Sequence, residues 1–166
     1  MGRGFIGECP DCDFKIFANY GAGFSYPQVY SDTIENIKNG ELGEEIKAFF
    51  EEHGDAAIDA GSTVLLCEEC GNIEVGDDLT VYLPVEGKMK DEERGRWSVA
   101  FPAEGYKFVT PWDLREKGQY RKIMEYSHKC SKCKGNMKII PEKEFKKLKC
   151  PKCHKKLKVD GDVLWD

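Results

Sequence analysis

All eight cysteines of this chain fall into four Cys-x-x-Cys pairs: Cys9/Cys12, Cys67/Cys70, Cys130/Cys133 and Cys150/Cys153. Two residues between cysteines let one tight turn aim both sulfurs at a single ion, and two such turns complete a tetrahedral thiolate shell. The chemistry this predicts is the binding of two structural zinc ions, each ligated by sulfur alone. A closed four-thiolate shell has no open position for water or substrate, so the ions account for folding rather than for catalysis.

Which pairs share an ion depends on the chain between them. Cys133 and Cys150 are separated by 16 residues, whereas 54 lie between Cys12 and Cys67. Short loops close more cheaply than long ones, which favours sequential pairing: Cys9, Cys12, Cys67 and Cys70 around one ion, Cys130, Cys133, Cys150 and Cys153 around the other. An interleaved arrangement, with Cys9/Cys12 joining Cys130/Cys133, stays open. The predicted fold class is α+β: two small four-cysteine zinc ribbons of short antiparallel strands, the first carrying a two-helix insertion.

Charge divides the chain. Residues 1–120 hold 11 Lys+Arg against 24 Asp+Glu, while residues 121–166 hold 14 against 6. This sets the expected domains: an acidic N-terminal ribbon over 1–120, with its helical insertion at about 27–53 and extra strands, and a lysine-rich C-terminal ribbon over 121–166. Lysine-rich stretches attract phosphate backbones through counterion release. Residues 122–166 contain no arginine for bidentate base readout and only Tyr126, Phe145 and Trp165 for stacking. Any nucleic-acid binding by the lysine-rich ribbon is therefore expected to be weak and sequence-independent, and the alternative partner is a protein of unknown identity.

The elements that must position the cysteines follow from pattern. Residues 14–17 alternate weakly and read as a strand leaving the first turn. Pro27, Asp32 and Glu35 offer helix-start signals, Ile34 and Ile37 share a face, and Gly40 stops the run. Leu42, Ile46, Phe49 and Phe50 make the apolar stripe of a second helix ending at Gly54. Tyr20, Phe24, Tyr26 and Tyr30 crowd the approach to these helices and read as core beneath the insertion or as a pocket lining. Residues 63–67 and 79–83 read as strands flanking the second turn, 86–96 as a charged loop, and 97–101 with 106–109 as a strand pair. Thr110 and Pro111 start a short helix that ends near Gly118. Residues 136–140, 145–149 and 155–159 are strand candidates around the last two turns.

Cys130-x-x-Cys133 followed by Cys150-Pro151-Lys152-Cys153 resembles a zinc ribbon. The N-terminal half, through Gly-Phe-Ser-Tyr-Pro at 23–27, the helical insertion and Cys67-Glu68-Glu69-Cys70-Gly71, resembles an uncharacterised bacterial family with tandem four-cysteine ribbons. That resemblance implies a metal-bound fold and no activity. Rubredoxins, which hold iron for electron transfer, share the cysteine spacing; Lys134 and His154 stand where their glycines would follow the pairs.

No phosphate loop, Gly-rich dinucleotide turn or His-Glu-x-x-His helix is present, and His53, His128 and His154 are the only histidines. With four thiolates already at the last site, His128 and His154 read as surface neighbours of the metal turns rather than ligands. The first residues carry Arg3 and Glu8 and no signal-like apolar run, and the longest apolar run, 64–67, is far short of the ~20 residues that span a bilayer. A cytoplasmic, membrane-free protein is expected, since reducing compartments favour metal over disulfides. The functional expectation is a non-enzymatic zinc-binding interaction module. The alternative is a rubredoxin-like iron electron carrier, or an enzyme with its site in the N-terminal helical domain; catalytic residues are not identified, and the oligomeric state is not legible.

Overall fold

The computed structural model describes residues 2–86, 108–116 and 118–165, with side chains through residue 161. In chain order its elements begin with β1 (Gly2–Glu8), β2 (Lys15–Tyr20), α1 (Tyr26–Lys38), α2 (Glu44–Glu52), β3 (Ala57–Ile58) and β4 (Ser62–Cys67). They continue with β5 (Ile73–Asp77), β6 (Val81–Pro84), α3 (Pro111–Arg115), β7 (Tyr120–Met124), β8 (Met137–Ile140), α4 (Glu142–Phe145) and β9 (Lys158–Trp165). The fold is α+β, with three three-stranded antiparallel sheets among the described residues, ordered β2-β1-β9, β3-β6-β7 and β5-β4-β8.

The chain does not divide once near residue 120. One compact unit gathers Met1–Gly23, Ser62–Asp78 and Ser127–Asp166; the other gathers Phe24–Gly61 and Leu79–Tyr126. Every cysteine lies in the first unit, which the second interrupts twice in sequence. The reason is strand pairing. β1 finds its second neighbour in β9 at the far end of the chain, and β4 finds its own in β8.

These two sheets repeat one plan. In each, the strand running into a Cys-x-x-Cys turn is central, the strand leaving that turn lies on one side, and a strand following a second turn lies on the other. The register agrees as well. Glu8, just before Cys9, faces Lys15 and Lys158; Leu66, just before Cys67, faces Ile73 and Lys138. Counted from the cysteines, both sets of partners occupy the same positions. We call the module of β1, β2 and β9 outer and that of β4, β5 and β8 inner, because the inner one is encoded wholly within the outer.

One apolar core serves both modules: Phe5, Tyr20, Val64, Ile73, Ile140, Phe145, Leu148 and Leu157. Phe145 is fully buried, its ring 6.1 Å from that of Phe5 and 6.3 Å from that of Tyr20. Gly7 is required by this core, since a β-carbon there would stand 3.0 Å from Phe145 Cζ and 3.2 Å from Ile16 Cγ2. The expected strand at 145–149 is absent. Pro141 and Glu142 instead start the short helix α4, which turns Phe145 inward.

In the second unit α1 begins after Ser25 with Pro27 in its first turn, so Asp32 and Glu35 lie within the helix rather than at its cap. Tyr26 and Tyr30 are core, and Tyr26 donates to the Val109 carbonyl at 2.9 Å. Phe24 is exposed. On α2 only Ile46 is buried; Phe49 is half-buried against the His53 ring, with 4.5 Å between centroids. Thr110 and Asp113 form a reciprocal capping box on α3. Asp59 is fully buried and accepts from the Gly61 N–H and from Arg115, each at 2.9 Å. The strand expected at 79–83 belongs to this unit as β6; the partner leaving the second metal turn is β5. The loop at 86–96 and the strand pair at 97–101 and 106–109 fall almost wholly outside the described residues.

Candidate metal centres

Each Cys-x-x-Cys turn is closed by its own backbone. The N–H of the leading cysteine donates to the carbonyl five residues on, as Cys9 to Phe14, Cys67 to Asn72, Cys130 to Gly135 and Cys150 to Lys155, at 2.7–2.9 Å. In three turns the residue after the second cysteine donates back to the leading carbonyl: Gly71, Lys134 and His154. All three are left-handed, with φ of 70°, 64° and 61°. Lys134 and His154 thus hold the conformation in which a glycine would cost nothing, at ~1–2 kcal/mol each. Amide donors also reach the sulfurs, from Cys70 to Cys67 Sγ at 3.5 Å, Gly135 to Cys133 Sγ at 3.4 Å and Lys152 to Cys150 Sγ at 3.4 Å.

The turns meet in two quartets: Cys9, Cys12, Cys150 and Cys153 in the outer module, Cys67, Cys70, Cys130 and Cys133 in the inner. Within each, one sulfur per residue lies within 4.8 Å of the others. Outer separations include 3.2 Å for Cys9–Cys153, 3.5 Å for Cys12–Cys150 and 3.9 Å for Cys12–Cys153; inner ones include 3.4 Å for Cys67–Cys133 and 3.7 Å for Cys70–Cys130. A tetrahedral ion bound through sulfur at ~2.3 Å spaces its ligands by ~3.8 Å, so the donor sets fit one metal ion each. These distances are far above the ~2.05 Å of a disulfide.

The pairing is therefore nested, first pair with fourth and second with third, and both the sequential pairing and the interleaved alternative are corrected. Charge gives one physical reason. The turns that join strands in the hairpins are acidic, with Asp11 and Asp13 in one and Glu68 and Glu69 in the other; the later turns are basic, with Lys132 and Lys134, then Lys152 and Lys155. Sequential pairing would set acid beside acid and base beside base. Nesting sets opposite signs across each centre. Lys152 bonds Asp13 at 2.8 Å, and Lys155 lies 3.9 Å from Asp11. The Lys152 hydrogen bond and charge hold the Asp13 carboxyl below the usual carboxylate range, and Asp13 raises Lys152 in return. In the inner module Lys138 lies 3.9 Å from Glu68, and Glu74 accepts from the Ser131 N–H and hydroxyl at 3.0 and 2.7 Å. Against the cost of burial, these bonds and one from Asn72 keep Glu74 ionised below its ordinary range.

Without an ion the thiols of a quartet hold their protons unequally. Cys67 is drawn down to about 7, chiefly by the Cys70 amide. Cys150, despite burial, falls to about 7 under the Cys153 and Lys152 amides. Cys12 rises to about 12 in spite of a backbone hydrogen bond at Phe14, through burial and its neighbouring cysteines. Cys133 likewise rises to about 12 in spite of Gly135, driven by Cys70 and Cys67. Negative charge accumulates reluctantly among four sulfurs, and a divalent cation removes that penalty.

The histidines stand outside the shells. His128 is buried, not superficial, with Nε2 2.9 Å from the Asp78 carbonyl oxygen. His154 is exposed in its turn, and His53 caps α2. Phe17 and Lys15, which the sequence presents only as part of a short strand, are placed by β1 in one sheet with β9, a neighbourhood that only the β1–β9 pairing reveals. No described helix is long and apolar enough to cross a membrane. Compared with protein-family models, curated proteins and solved structures, the chain matches none.

Proposed function

We infer that this protein is a non-enzymatic interaction module whose rigid surfaces are set by two structural zinc ions in a nested pair of zinc ribbons, one within the other. The observation that carries the reading is the closure of both quartets: four sulfurs within 4.8 Å of one another leave an ion no position for water or substrate. Eight thiolates without disulfide geometry suit a reducing compartment such as the cytoplasm. The four-thiolate donor set is also that of a rubredoxin-like iron centre, which makes electron transfer the second reading. Elemental analysis with an absorption spectrum of the purified protein tests both. Two zinc ions per chain and no visible colour support the module; one metal per chain, or a majority of coloured iron, overturns it.

A further inference from the structure

We propose that the outward face of the β2-β1-β9 sheet is a platform for single-stranded nucleic acid, a partner assignment that rests on the interaction-module reading. Residues directly opposite one another, and those two along each strand, share one face of a sheet. Lys158, Glu8 and Lys15 form one row, and Asp160, Ile6 and Phe17 the next row on the same face. All six are exposed or half-exposed, whereas Phe5, Gly7, Ala18 and Leu157 of the opposite face are buried. Phe17 is 46% exposed, although a phenylalanine of this size is normally covered. Lys156 continues the face two residues before Lys158, and Lys149 is bridged directly opposite Lys156.

The charges on this face are not balanced internally. Glu8 is taken by Lys15 at 2.6 Å. Lys149, Lys156 and Lys158 have no carboxylate partner among the described residues, and among the described side chains Asp160 is the acid left beside them. Two lysines directly across from each other repel, a cost that an external polyanion removes. An exposed ring on β2 and unpaired cations on the β9 side of the same face, with β1 between them, offer what an unstacked base and its neighbouring phosphates require: every base has a π-face, and lysines act as point charges along a backbone. With no arginine on the face, binding is independent of sequence.

The test uses full-length protein and 20-nucleotide labelled oligouridine and oligothymidine, followed by fluorescence anisotropy between 50 and 200 mM salt. Three lysine–phosphate contacts give a slope of about −2 in log affinity against log salt, close to a twentyfold loss over that range. Phe17→Leu keeps an apolar side chain without a ring and lowers affinity about tenfold, while Phe17→Tyr retains it. Lys156→Ala with Lys158→Ala brings the slope to about −0.7. Tighter binding to one oligonucleotide reports a preference of sugar or base methyl and upholds the platform. No binding at 50 mM salt, equal affinity for Phe17→Leu, or equal displacement by polyglutamate, as an acidic-protein surface would show, overturns it. Metal content read on the same samples separates the two readings. Two zinc ions per chain without binding overturns the platform alone, whereas ring-dependent binding by a chain that carries no metal overturns the zinc reading and upholds the platform.

Discussion

Nested pairing makes a prediction about cysteine substitutions that no other pairing shares. Cys9→Ser and Cys150→Ser should each remove one metal ion, and the double substitution should still remove only one, because both ligands belong to the outer quartet. Cys9→Ser with Cys67→Ser should remove both. The energetics follow from chain length. Between Cys12 and Cys150 lie 137 residues, and between Cys70 and Cys130 lie 59. Closing the longer loop from an unfolded chain costs ~0.7 kcal/mol more, about a threefold handicap, so the inner site should fill first in a zinc titration. Once it is closed, the path between Cys12 and Cys150 is shortened and most of that handicap disappears. Metal counts by native mass spectrometry on single and double variants provide the assay, with urea unfolding as its companion. Stabilities of the Cys9 and Cys150 variants should be strongly non-additive, and those of Cys9 and Cys67 nearer to additive. A Cys9→Ser/Cys67→Ser chain that keeps one ion would refute the nesting and restore sequential pairing, and a Cys9→Ser/Cys150→Ser chain that keeps none would refute the nesting in favour of the sequential or the interleaved arrangement.

Three further outcomes are expected. Gly7→Ala, which drives a methyl group against Phe145 and Ile16, should cost about 1–3 kcal/mol in urea unfolding, and Phe145→Leu should recover part of it; an unchanged midpoint would contradict the tight approach. Arg115→Ala withdraws a donor from the fully buried Asp59 carboxylate and should cost about 1–3 kcal/mol, less Arg115's own exposed share, while Arg115→Lys costs less. Because Cys12 and Cys133 hold their protons up to about 12, and their quartet neighbours Cys150 and Cys67 only to about 7, zinc must displace protons at neutral pH. Calorimetry in buffers of different ionisation enthalpy should find more than one proton released per ion, with affinity falling as pH falls; pH-independent binding would show that other groups hold the metal.

The candidate metal donors are legible in the sequence because Cys-x-x-Cys spacing is a local property of a turn. Their pairing is not, since loop entropy changes slowly with length and is outweighed by strand partners that no local pattern announces, such as Glu8 with Lys158. Part of the answer was nevertheless present in the signs of the residues around the cysteines. The two helices are local and fell close to their expected places, Gly40 at φ 78° ending the turn after α1. β5 was missed because Ile-Glu-Val-Gly-Asp carries two poor strand formers, Gly76 and Asp77, and takes its place from β4 alongside it. Residues 145–149 read as a strand because Phe145 and Leu148 are apolar at a spacing that short segments leave ambiguous, whereas Phe145 closes the short helix Glu142–Phe145.

The adjacency of β1 and β9 has a mechanical meaning. Gly2 faces Trp165 and Glu8 faces Lys158, so tension applied at residues 2 and 165 opens that ladder in succession, a few hydrogen bonds at a time, from the end nearest the pull. The fracture then arrives at the outer quartet, immediately beyond Glu8, where a bound ion would link Cys9 to Cys153 and carry the load before any force passes inward to Cys12 and Cys150. Everything between Asp13 and Lys149, including the second unit and the inner quartet, is out of the load path until that junction gives way. A pulling experiment with zinc bound should therefore show a soft initial extension followed by one abrupt release, and a chelator should erase the abrupt step while leaving the soft one.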